Sequence, residues 1–208
     1  GRNRLINRMK STQTDATSKP SKIFEVHVKL RVIYYGYIKE WSQLMKKEKL
    51  IEWVKPYNND DSHPYYRPFV VQSKDEKYDI FLAGINPATP IYRKDIDLNL
   101  YTDLLTDYAE FYKMYNKVRE GNSKPKMSRT RLGITSFVNE IQNRTNEKVL
   151  ETNVVPYPTK NKKILKQTDS GVIAHALSLF HAVLLDHSPG TVIIYSKGSL
   201  EYFVKVLY

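Results

Sequence analysis

The chain has no cysteine. That excludes disulfides, cysteine-ligated zinc and thiol catalysis together, and it fits a reducing, intracellular setting. No apolar run approaches the ~20 residues that span a bilayer, so no membrane segment is expected. The sequence also lacks a Gly-rich phosphate loop, an internal repeat and the apolar centre of a secretory signal. Acid is short relative to base: 22 Asp and Glu stand against 33 Lys and Arg, a net charge of +11. A domain this basic commonly meets a polyanion, with nucleic acid the default expectation. The 16 tyrosines agree with that, because phenol rings can stack on unpaired bases. Most tyrosines in any protein, however, are packing residues with a wet tip.

The 208 residues suffice for one domain with a sizeable core. Residues 1–22 hold six cations (Arg2, Arg4, Arg8, Lys10, Lys19, Lys22) against Asp15 and read as a basic flexible arm. Residues 23–208 read as one α/β domain. Phe24, Val26, Val28, Leu30 and Val32 alternate as in a strand. Trp41, Leu44, Met45 and Ile51 suggest an amphipathic helix with a lysine-rich outer face, ended by Pro56. Residues 57–68 read as a loop, and Phe69-Val70-Val71 as a short strand or lead-in. Tyr78 to Ala83 suits a buried parallel strand.

Residues 97–118 read as one helix, with Leu100, Leu104, Tyr108, Phe111 and Tyr115 on one face. A basic loop follows over 119–131, then a helix over 132–146 and a second β-rich run over 149–155. Residues 170–186 are apolar nearly all round and predict a buried helix, with His175 and His181 as core residues. His187 follows as a partner for that helix's dipole. Thr191 to Tyr195 is a strand, Lys197-Gly198 a turn, and Ser199 starts a last helix. Strands alternating with helices argue for a three-layer α/β/α sandwich around a central, mainly parallel four-stranded sheet.

In open α/β sheets ligands bind beyond the carboxyl ends of the strands. Three ends matter here: Gly84-Ile85-Asn86-Pro87-Ala88, Thr152-Asn153, and Lys197-Gly198-Ser199. Two asparagines can therefore converge on one pocket, and an asparagine amide offers a donor and an acceptor together, as reading a base edge requires.

The stretches GINPATP, ETNVVPYPT and VIIYSKGSLEYF, each at a strand end, resemble the uracil-DNA glycosylase superfamily over about residues 40–208. The resemblance implies a glycosylase that hydrolyses the N-glycosidic bond of a flipped-out uracil or related base in DNA. Asn86 would position the hydrolytic water. Asn153 would read the base, within a pocket that includes Gly84, Ile85, Pro87 and Ala88. Tyr92 or Tyr101 would stack on the base. Lys124, Lys126, Arg129, Arg131, Lys160, Lys162, Lys163, Lys197 and Ser199 would grip DNA phosphates. No metal or cofactor is expected. DNA is the expected partner, a protein partner stays open, and a monomer is expected.

Asn86 has no useful basicity, so it can orient a water without taking its proton, and Asn86→Asp should preserve or raise activity. The superfamily's closing His-Pro-Ser-type segment has no match before Tyr208. The expectation is therefore a C-terminally incomplete chain or a relative that binds without cutting. Ala88 stands where some members carry a bulky residue that blocks thymine. Two other readings stay open: a glycosylase-like module that binds DNA or protein without turnover, and an α/β nucleotide-binding protein in which Asn86-Pro87 is merely a turn.

Overall fold

The computed structural model describes residues 27–28, 47–71, 77–123 and 128–207, with the backbone alone at His27, Val28 and Arg129. The basic arm over 1–22 and the cations Lys124 and Lys126 lie outside the described residues, as do Trp41, Leu44 and Met45 and most of the first strand.

The architecture is mixed α/β. Strand β2 (Ile80–Gly84) is buried along its whole length. It pairs in parallel with β3 (Val149–Asn153) on one side and β4 (Thr191–Ile194) on the other. Continuous apolar character is what a strand with two parallel neighbours needs. A two-residue strand, β1 (His27–Val28), pairs antiparallel with β4, giving the order β1-β4-β2-β3. At the other edge, Phe69 makes a single antiparallel bridge to Thr152 and covers part of β3.

Alternation along the strands divides the apolar residues between the two faces. Phe81, Ala83, Leu150, Val192 and Ile194 join the larger core. There they meet α1 (Lys47–Val54), α6 (Ser170–His187) and α7 (Lys197–Leu207) through residues such as Trp53, Phe180 and Phe203. Ile80, Leu82, Val149 and Ile193 face the other way, against Ile134, Val138 and Ile141 of α4 (Arg129–Arg144). Those three recur at helical spacing, so one stripe of α4 covers that face. Each fully buried side chain of this size contributes about 1.5–3 kcal/mol of transfer free energy.

Several elements depart from the sequence reading. The single helix expected over 97–118 is two, α2 (Leu98–Leu104) and α3 (Tyr108–Gly121). Asp97 and Asp107 cap their N-termini, and an aspartate accepting first-turn amides starts a new helix rather than continuing an old one. The expected basic loop is shorter, since α3 runs to Gly121 and α4 begins at Arg129, capped by Ser128. The lysine run at 160–166 is also partly helical: Asn161 caps α5 (Lys162–Gln167). Helix α6 is not buried all round; Val172, Ala176, Leu179, Phe180 and Val183 face the core, while His175 and His181 are exposed. The 57–68 segment is a loop as expected, apart from one helical turn at Tyr57–Asn59, yet it buries Tyr65, Tyr66 and Arg67.

His187 is the last residue of α6 and is 1% exposed. The rings of Phe69, Tyr78 and Phe81 surround it edge-on at 5.6–6.0 Å. Neither ring nitrogen meets a hydrogen-bond partner. Burial, with Lys49 nearby, pulls its pKa down to about 4 against the opposing charge of Asp186. The imidazole is therefore neutral at pH 7 and cannot serve as the cationic dipole partner the sequence suggested.

Candidate active site at the strand ends

Parallel register places Gly84 opposite Asn153, so the two asparagine-bearing loops leave the sheet side by side. Backbone bonds tie them together: Val154 N donates to Gly84 O at 2.9 Å, Val155 N to Ile85 O at 2.9 Å, and Thr159 N to Pro87 O at 3.1 Å. Gly84 is glycine for a steric reason. A Cβ there would lie 2.7 Å from the ring carbon Cζ of Tyr195 and 2.9 Å from Asn153 Oδ1. The phenol that follows β4 thus crosses the end of β2 beside the base-reading candidate.

A cleft of about 460 Å³ opens on the α4 side of these strand ends. Its walls bring together Asn86, Pro87, Ala88, Asn153 and Tyr195. The Asn153 side chain is half-buried and bonds to no described residue, which leaves both its donor and its acceptor for a ligand. Asn86 differs. Its Nδ2 donates to Thr159 Oγ1 at 2.9 Å, Pro87 O at 3.1 Å and Tyr157 O at 3.3 Å. Its Oδ1 alone is left for the cleft.

The opposite wall comes from α3 and α4. Tyr108 and Tyr112 lie 4.5 Å apart, and Phe111 stacks on Tyr115 at 5.7 Å. Arg131 donates to Tyr112 Oη at 2.8 Å and pairs with Glu151. It is therefore not a free phosphate contact of the kind expected. Arg67 and Arg119 complete this wall. Burial, joined by the Glu151 charge and opposed by Arg131, pushes the Tyr195 phenol up to about 12, so it stays a hydrogen-bond donor at neutral pH. Burial raises Tyr112 likewise.

Other expected site residues lie elsewhere. Tyr101 is fully buried, bonded by Arg67 and stacked on Tyr65 at 4.8 Å, so it is a core ring and not a base platform. Tyr92 and Lys160 line a separate hollow of about 270 Å³ with Lys94 and Asn122. Ile85 turns toward α7 and lines a third hollow with Lys162 and Gly198. Lys163 and Lys197 are exposed. Ser199 is buried, its Oγ 2.6 Å from Ser196 Oγ at the start of α7, which removes it from phosphate contact. The side chain of Arg129 lies outside the described set.

Sequence reasoning missed Tyr195, Arg67, Arg119, Glu151 and the α3 tyrosines. Only Tyr195 carried a local signal, being the first residue after the buried run Val192-Ile193-Ile194. Among the described residues no group of His, Asp or Glu could hold a metal ion, no histidine lines the cleft, and no helix is long and apolar enough to cross a membrane. No family model, curated protein or solved structure matches the chain.

Proposed function

We propose that the cleft is the base pocket of a uracil-DNA glycosylase-type hydrolase, set in a three-layer α/β/α sandwich. One observation carries the reading: register places Asn153 beside Gly84, so that Asn86 and a free asparagine amide border one aromatic-walled cleft. A flipped base would enter with its polar edge toward Asn153 and Tyr195. Unstacking it costs a few kcal/mol, which stacking on the α3 rings and phosphate contacts outside the cleft would offset. Asn86 Oδ1 would orient a water at the sugar carbon. The bond to the base breaks as the water oxygen attacks the sugar carbon; the electron pair leaves with the base nitrogen, donors such as Tyr195 Oη stabilise that charge, and the proton shed by the water passes through solvent to the departing base.

A second reading has its own support. Asn86 spends its nitrogen on the neighbouring loop and offers no basic group, which suits a module that holds a base in DNA without cutting. An abasic-site assay on single- and double-stranded uracil DNA decides between them. Alkali-labile strand breaks support the hydrolase. Salt-sensitive DNA binding without breaks supports the binding module, and no DNA binding at low salt defeats both.

A further inference from the structure

Three guanidinium groups line the cleft against one carboxylate, Glu151, which is already paired with Arg131. Arg67 is 6% exposed. It donates to Tyr101 Oη at 3.3 Å, Ala88 O at 3.1 Å and Thr89 O at 2.9 Å, all neutral acceptors. Among the described residues no carboxylate pairs with it. A buried cation ordinarily meets an anion, because losing its hydration is costly. Its guanidinium sits 5.0 Å from the Tyr115 ring centre and 5.3 Å from that of Phe111, while Arg119 lies 5.8 Å from Tyr115. Burial would raise the Tyr115 phenol, yet the Arg67 charge, a hydrogen bond with Thr89 and Arg119 together outweigh it and hold the group below its usual range.

Charge alone would suit any anion; the rings narrow the class. The same cavity carries the Tyr108 and Tyr112 pair and three asparagine side chains, Asn86, Asn116 and Asn153. Its volume of about 460 Å³ falls in the ~300–1,000 Å³ range of small-molecule sites. We propose that this cleft binds a nucleoside monophosphate unit, its ring against the α3 tyrosines and its phosphate against Arg67 and Arg119. The inference stands on the charge and rings of the cleft and does not require hydrolysis.

The test is a titration of the full chain, followed by amide NMR and calorimetry, with dUMP, deoxyuridine and inorganic phosphate. The expected result is dUMP binding at least ~10-fold tighter than deoxyuridine, as charge-assisted contacts require. That advantage should shrink with salt and disappear in Arg119→Gln, whose amide spectrum shows that it remains folded. Arg67→Met should act alike where it folds; Arg119→Gln decides if it does not. Equal affinity for dUMP and deoxyuridine overturns the proposal. So does undiminished dUMP binding in Arg119→Gln, or phosphate alone binding as tightly as dUMP. The uracil-DNA assay on the same preparation separates the two claims. Binding of dUMP without cleavage supports this site and defeats hydrolysis, whereas cleavage without a dUMP preference defeats this site alone.

Discussion

The side-chain nitrogen of Asn86 lies 2.9 Å from the hydroxyl of Thr159, and the same nitrogen faces the carbonyls of Pro87 and Tyr157. An asparagine is therefore required there for structure, whatever it does for chemistry. This reverses the expectation for Asn86→Asp. A carboxylate would set one oxygen against the two carbonyl oxygens and the Thr159 hydroxyl, and they would lose their donor. The variant should melt lower, by about 1–3 kcal/mol for the orphaned acceptors, and should lose activity rather than gain it. Thermal melts with the abasic-site assay check this; an unaltered melting point with higher activity would contradict the geometry.

Asn153 makes the opposite case. Its amide has no described partner, so Asn153→Ala should leave the melting temperature nearly unchanged. Loss of a contact that strengthens in the transition state should cut turnover of uracil DNA about 100-fold or more. A large fall in stability would mean that the amide is part of the scaffold.

Gly84 and Tyr195 should be coupled. Gly84→Ala drives a methyl group into the phenol ring, and overpacking of this kind costs about 1–3 kcal/mol. Tyr195→Ala makes room. Denaturant unfolding of both single variants and the double variant should show the double less destabilised than the two effects added. Simple additivity would sink the claimed contact.

His187 predicts a pH dependence whose sign follows from its lowered pKa. The unfolded chain binds the proton near pH 6.5, the folded chain only near pH 4. Stability is therefore full above about 6.5, falls as pH drops toward 4 and then levels, with a total near 3 kcal/mol. His187→Leu should flatten this window relative to the parent, while losses from carboxylates remain in both. Parallel curves for the two proteins would refute the assignment.

The alternation of elements and the three buried strand cores were legible because their signals are local. Continuous apolar runs at 80–83 and 192–194, and the β-rich run at 149–155, mark strands without any knowledge of partners. The two asparagines were legible for the same reason, Asn153 as the last residue of its strand and Asn86 two residues past the end of its own. The split of 97–118 into two helices turned on Asp107. Its capping bond depends on a chain direction that apolar spacing does not report.

Composition, the strand–helix order and the positions of Asn86 and Asn153 follow from the sequence by itself, since propensity and periodicity act over a few residues. Tertiary structure decided the rest. It turned Tyr101 and Ser199 inward, drew Arg67 from a loop-like segment into the cleft wall, and set Tyr195 across Gly84. Those outcomes rest on contacts between residues many positions apart. Strand register and close packing determine them, and neither is written in any single stretch of the chain.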